Sequence, residues 1–305
     1  MENNEILKLS EHIYFVLGEN KGRFPSCHGL LLVGGETVLI DAGIGEHQIR
    51  EIDRKRRIDV LIITHSHPDH IRHWHVLGDR VIMMPRETPE AVTDLDRLGE
   101  RFMESKELAE EWVRWIEDFG VRALREPDRR YADGDILDLA GCRLEAIRTP
   151  GHLGDHYCFF ERTTGTLFTT DIDLTAFGPW YGNPEADIGT FRRDVKRVMA
   201  LPYERVCSSH KEPVEGDATS LFEAFLEAFS RQSRAVLDLC GPDASLRDIT
   251  AAMPIYRKRL PNKVLHEAFE TVMVKKILDT LIRDGLVEEL HGRYIRTDGR
   301  SADRC

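Results

Sequence analysis

Three histidines and an aspartate stand within six residues of one another, in the run Thr64-His65-Ser66-His67-Pro68-Asp69-His70. Neutral imidazole is the commonest protein ligand for Zn²⁺ and also suits Fe²⁺, while carboxylates bind either ion. A lone histidine is weak evidence of a metal site. Four donors this closely spaced exceed what a solvated polar loop requires. The expected chemistry is that of divalent cations, which lower the pKa of a bound water and polarise a carbonyl or phosphoryl oxygen.

Such donors must be held rigidly, and the preceding residues supply the means. Residues 59–64 (DVLIIT) form a nearly continuous apolar run, as expected of a strand buried on both faces. A loop leaving the end of such a strand can hold side chains at metal-ligand geometry. Other strands are expected at 11–17, 28–33, 37–40, 80–84, 135–139, 142–147, 157–161, 166–170 and 204–208. Residues 87–120 break this pattern. They are rich in Glu, Leu, Arg and Ala, and read as a helical insertion of two helices. Phe102, Leu108, Trp112, Trp115 and Ile116 fall near helical spacing, which favours a packing face over a pocket lid or a dimer contact. Residues 188–199 read as a helix.

From residue 219 the pattern turns mostly helical. Leu221, Phe222, Phe225 and Phe229 make one apolar face, Ser245 caps a short helix, and Gly285 closes a longer one over 264–284. Residues 286–290 and 294–297 then pair around His291-Gly292. Three helices and a hairpin is the order of a winged-helix module. The division expected is therefore 1–218 and 219–305.

The His-x-His-x-Asp-His run resembles the signature of the metallo-β-lactamase superfamily, and four further landmarks follow in order. Asp41, in Leu39-Ile40-Asp41-Ala42-Gly43, matches the first motif. Thr149-Pro150-Gly151-His152 matches the third, Asp171 the bridging carboxylate, and His210 the final histidine. The resemblance spans roughly residues 10–215 and implies an α/β, four-layered αββα sandwich. It also implies a ligand set. His65, His67 and His152 would hold one ion, Asp69, His70 and His210 a second, and Asp171 would bridge them. The cofactors expected are two divalent ions, zinc first, with iron or manganese compatible with the same donors. Asp69 is the expected catalytic residue, orienting the metal-bridging hydroxide and taking up a proton.

Some residues depart from the family pattern or extend it. The glycine pair that usually follows the signature is replaced by Ile71-Arg72-His73-Trp74-His75, whose histidines read as packing residues. Cys27-His28 stands where many relatives carry a small polar pair. His156, four residues after His152, reads as a support for the ligands or as a transition-state contact. The Gly- and Pro-containing segment 172–182 should line a pocket. Phe177, Trp180 and Tyr181 are its candidate substrate contacts, and Asp173 is a candidate third carboxylate near the ions.

Among relatives of this kind, hydroxyacylglutathione hydrolases and lactonases set the leading expectation: a hydrolase acting on a small ester, thioester or lactone. Two alternatives use the same donors. One is an endoribonuclease or phosphodiesterase. The other is a mononuclear iron thiol dioxygenase built on His65, His152 and Asp171. The 305-residue chain has a formal net charge of −11, and its charged residues form no basic stripe, which argues against nucleic acid as a partner. No run approaches the roughly 20 apolar residues of a membrane span. Residues 1–10 lack the basic start and apolar core of a signal peptide, so the expected location is cytoplasmic. The six cysteines (Cys27, Cys142, Cys158, Cys207, Cys240 and Cys305) contain no Cys-x-x-Cys pair and read as reduced thiols. A homodimer is compatible with all these readings.

Overall fold

The computed structural model describes residues 5–297; residues 1–4 and 298–305, Cys305 among them, lie outside it. Two sheets face each other. The first runs β1 (Ile6–Lys8), β2 (Ile13–Val16), β3 (Gly29–Val33), β4 (Thr37–Ile40), β5 (Val60–Ile62), β6 (Val81–Pro85) and β7 (Arg129–Tyr131), in sequence order. Its first four strands are antiparallel and the rest parallel. The second sheet comprises β8 (Ile136–Leu139), β9 (Cys142–Arg148), β10 (Tyr157–Glu161), β11 (Thr166–Phe168), β12 (Arg205–Cys207) and β13 (Val214–Glu215), again neighbour to neighbour. Only β11 and β12 pair in parallel there.

The strand period of two sorts side chains between layers. In β4 and β5, Val38, Ile40, Val60 and Ile62 point into the core between the sheets with Phe159 and Phe168. Leu39 and Leu61 point the other way, into a helix-covered core. Strands buried on both faces read as unbroken apolar runs, which is why 59–64 has no alternation.

Outside the first sheet pack α1 (Glu46–Lys55), the four-residue α2 (Pro68–Ile71), α3 (Leu95–Phe102) and α4 (Lys106–Asp118). Asp94 and Ser105 cap α3 and α4 by accepting backbone N–H groups. Outside the second sheet lie α5 (Ile188–Met199), α6 (Thr219–Leu237), α7 (Leu246–Ala251) and α8 (Lys263–Arg283). The result is helix, sheet, sheet, helix. A hairpin of β14 (Val287–Leu290) and β15 (Arg293–Arg296) follows α8. Ser245 and Asp248 form a reciprocal capping box on α7. The sequence pattern does not expose α1, β1, β7 or β13, which are short or strongly polar.

The residues after 219 do not stand apart. Leu265 and Phe269 of α8 join the core beneath the insertion helices, and Lys275 pairs with Glu104 across the same seam. No helix of the described residues is long and apolar enough to cross a membrane. Cys27, Cys142, Cys158 and Cys207 are buried free thiols, and Cys240 is half-buried and free.

Candidate metal centre

Five strands end at one edge of the sandwich, and each releases a candidate ligand or its support there. Asp41 follows β4, His65 follows β5, His152 follows β9, Asp171 follows β11 and His210 follows β12. Asp69 and His70 ride on α2, which Pro68 starts at its first position. The approach of the chains is close. At Gly43 a Cβ would lie 1.5 Å from the Asp69 carbonyl oxygen, so any side chain would push α2 away from the strand ends.

Two groups of donors converge. His65 Nε2, His67 Nδ1 and His152 Nε2 form one, with 3.0 Å between the first two and 2.9 Å between the last two. Tetrahedral Zn–N bonds of about 2.05 Å put ligand nitrogens roughly 3.3 Å apart, close to this spacing. Asp69, His70 and His210 form the other group. Asp171 stands between them and divides its oxygens. Oδ2 lies 3.4 Å from His65 Nε2 and 3.2 Å from His152 Nε2, while Oδ1 lies 3.0 Å from His70 Nε2 and 3.5 Å from His210 Nε2.

The outer ring nitrogens fix the tautomers. His70 Nδ1 donates to Asp41 at 2.7 Å, His152 Nδ1 to the Trp180 carbonyl at 3.0 Å, and His210 Nδ1 to the Gly22 carbonyl at 2.5 Å. Thr64 Oγ1 gives its proton to Asp41 and therefore accepts from His65 Nδ1 at 3.0 Å. Each of these four rings is left with a bare Nε2 aimed inward, the arrangement that metal-binding histidines require. His67 differs: it turns Nδ1 inward, and its buried Nε2 has no partner. Asp41 takes up this role with backbone in the left-handed region, at φ 65°, a strained geometry of the kind that clusters at functional sites.

The donor set fits divalent cations. His70 Nε2 and Asp171 Oδ1 are buried without a hydrogen-bond partner, which a coordinated ion would supply. Burial holds His65 well below the ordinary imidazole range, and His67 at about 4, so both rings are neutral, as a metal ligand must be. Burial would also lower His70 and His210. There the carboxylates outweigh it: Asp171, Asp41 and Asp69 raise His70 well above its ordinary value, and Asp171, Asp69 and Asp173 raise His210 to about 9. The second group is thus built to hold positive charge, as a proton or as a cation.

The structure sorts the other sequence expectations. Tyr181 is no substrate contact: it is fully buried, stacks on Phe229 and donates to Gln232 at 2.7 Å. His156 also stays off the cavity. Its Nδ1 donates to Thr149, and its Nε2 accepts from the Asp171 backbone N–H at 3.2 Å, so it positions Asp171. His73 and His75 lie together, outside both donor groups. His28 does approach the site through its backbone, donating to the Ser209 carbonyl, while its ring accepts from Gly18 N–H.

A cavity of about 650 Å³ opens over the donors. His67, Asp69, His152, Asp171, Asp173 and His210 face it from below. Phe177 and Trp180 line it from the loop after Asp171. The insertion contributes Phe102, Trp112 and Trp115, so its apolar stripe, read from sequence as a packing face in preference to a pocket lid, is also a pocket wall. A further part of the wall, Tyr256, Leu260, Pro261 and Phe269, comes from the chain after residue 219 and has no motif to announce it; Phe24, Pro25 and Phe119 complete the rim. Arg101 of α3 was equally invisible in the sequence. It donates to Ser66 at 2.6 Å, to the buried Asp155 at 3.1 Å and to Glu185 at 2.8 Å, tying the insertion to the loops that carry the histidines.

Comparison with known proteins gives consistent results. Residues 24–210 match the family model described as the metallo-beta-lactamase superfamily. A beta-lactamase-like protein 2 homolog of Caenorhabditis elegans is 25% identical over 307 residues, covering 97% of this chain and 93% of that protein. An atrochrysone carboxyl ACP thioesterase of Pseudocercospora fijiensis is 25% identical over 292 residues, covering 92% of this chain and 77% of its own length. Among solved structures, a metallo-beta-lactamase family protein from Thermus thermophilus superposes with a TM-score of 0.73 at 20% identity, over 95% of this chain and all of that one (100%). This last similarity concerns the fold.

Proposed function

This chain belongs to the metallo-beta-lactamase superfamily, and we propose that within it the protein is a binuclear metal-dependent hydrolase of carboxylic thioesters and esters. The division of Asp171 carries the reading, because a carboxylate with one oxygen toward each donor triad is what two neighbouring ions require. Zinc is the proposed metal, held by His65, His67 and His152 on one side and by Asp69, His70 and His210 on the other. When bound, such a pair supplies a nucleophilic water at neutral pH and a Lewis acid for the substrate carbonyl.

The chain's own residues do the rest. His152 and His210, locked through their Nδ1 protons to backbone carbonyls, hold their donor atoms still through turnover. Asp69 lines the cavity with its Oδ2 3.4 Å from His210 Nε2, where it orients the attacking water and receives its proton. The water oxygen joins the acyl carbon, the carbon–sulfur or carbon–oxygen bond breaks, and Asp69 returns the proton to the leaving thiolate or alkoxide.

The acyl carrier protein thioesterases among the relatives support a thioester. No lysine or arginine lines the cavity among the described residues, which supports a carboxylic substrate over a polyanionic nucleic acid. The last three helices and hairpin we read as a winged-helix-like unit serving as a wall of the site. The test is elemental analysis of the purified protein, followed by a thioester and ester panel. About two equivalents of zinc with acyl hydrolysis are expected. One equivalent of iron with oxygen uptake on adding a thiol would overturn the reading in favour of an oxygenase.

A further inference from the structure

Resting on the hydrolase reading, we infer that the substrate carries a bulky apolar acyl group, seated between the helical insertion and the helices after residue 219. The polar groups of the cavity are concentrated at its floor, where the carbonyl must lie. Above them stand Phe102, Trp115, Phe177, Trp180, Tyr256 and Phe269. The wall offers a ligand few hydrogen bonds. Trp180 commits its single donor to Tyr256 Oη at 2.5 Å, which leaves the Tyr256 phenol hydrogen and the Trp112 and Trp115 indole N–H groups among aromatic faces. Asn183 is occupied at both ends, donating to the His152 carbonyl and accepting from Ala186 N–H. A sugar, nucleotide or peptide seated against this wall would lose more hydrogen bonds to water than it regains, a cost that disfavours it. An alkyl or fused aromatic acyl chain loses nothing polar and gains burial against six rings.

The wall is also fixed in place. Glu270 of α8 is fully buried and accepts from Ile255 N–H at 2.8 Å and Tyr256 N–H at 3.1 Å. Tyr256 holds the Trp180 indole, and that ring packs edge-on to Phe269 at 5.5 Å and lies over Gly182, where a Cβ would come within 2.7 Å. Trp180 is therefore clamped from the C-terminal helices, and its own carbonyl orients His152. The segment after residue 219 sets which acyl groups reach the floor.

The experiment uses zinc-loaded full-length protein and S-alkyl N-acetylcysteamine thioethers from butyl to decyl. These lack the thioester carbonyl and so have no acyl–sulfur bond to hydrolyse, and binding is read by the change in fluorescence of the cavity tryptophans. The dissociation constant is expected to fall about threefold to fourfold per added methylene until the wall is filled. Leu260→Arg, at a partly exposed wall position, should weaken the decyl ligand at least tenfold and the butyl ligand by a smaller factor, so that the gain per methylene shrinks. Phe177→Arg, at a more exposed one, is the second variant should the first fail to fold. The same acyl lengths as thioesters report turnover separately. Affinity independent of chain length overturns the inference even if short thioesters are hydrolysed. Affinity that rises with length while no acyl substrate turns over supports the pocket and removes the hydrolase reading instead.

Discussion

His152 in the floor of the cavity and Tyr256 in its wall are both bonded to Trp180, but by different parts of it. The floor uses the backbone carbonyl, the wall the indole N–H. The same contrast runs through the site. Floor residues leave the ends of strands within the first 210 positions and are oriented by Asp41, Thr64 or main-chain carbonyls. Wall residues come from helices and loops that meet only in the folded chain, and their contacts are aromatic. Backbone-anchored polar geometry has one solution, whereas an apolar wall can be recut by changing side-chain volume. Floor substitutions should therefore act on metal content and kcat, and wall substitutions on KM and acyl preference.

The largest effect tests the floor. Asp171→Ala removes the one group shared by both triads, so both ions should be lost and kcat/KM should fall by more than about a thousandfold. Asp69→Ala and His67→Ala should also abolish turnover with the fold retained. Circular dichroism, metal analysis and kinetics on each variant provide the check, and substantial activity in any of them would dismantle the assignment. Next comes Asp41→Asn. It keeps the shape but loses the charge that orients His70 and Thr64, and should weaken metal binding about 10–100-fold in a chelator competition. The boundary between floor and wall is tested by Trp180→Phe. It deletes the bond to Tyr256 and keeps the carbonyl to His152, so KM for a long-chain thioester should rise about threefold to tenfold with metal content unchanged. Metal loss in that variant would mean that floor and wall are one cooperative unit.

That division also governs what the sequence alone could tell. The floor was legible, because ligation demands particular residue types at short spacings: His65 to His70 fall within six residues, and each remaining donor follows a strand recognisable from its apolar run. The wall was not. Leu260 and Phe269 look like any apolar helical residues, and nothing in one dimension places them above His67. Phe177 and Trp180 can be singled out in the sequence because they follow the candidate ligand Asp171, and both line the cavity; Tyr181, beside them, points the other way into the core beside Phe229. Arg101 was missed for the same reason as Leu260, since its partners Ser66, Asp155 and Glu185 are distant in sequence.

The smallest effect compares two buried carboxylates, one under each region. Asp194 of α5 accepts from Gly151 N–H at 2.8 Å, beneath the turn that presents His152. Glu270 accepts two N–H groups beneath Tyr256. Burial raises both above the ordinary carboxylate range, Asp194 to about 6. The raised group stays protonated in the folded chain after its unfolded counterpart has ionised. Stability due to Asp194 is therefore present at low pH and lost as pH rises from the usual Asp value of about 3.9 towards 6. Asp194→Asn keeps the single acceptor that Gly151 needs and removes the charge. It should flatten that slope and stabilise the protein above pH 6 by about 1–2 kcal/mol, a rise in Tm of about 2–6 °C. Glu270→Gln should do the opposite. Its one carbonyl oxygen cannot serve both Ile255 and Tyr256, and an unpaired buried N–H costs about 1–3 kcal/mol. Thermal melts between pH 4 and pH 8 separate the two. A destabilised Asp194→Asn would mean that the charge itself holds the Gly151 turn, and that the floor, like the wall, depends on more than hydrogen-bond geometry.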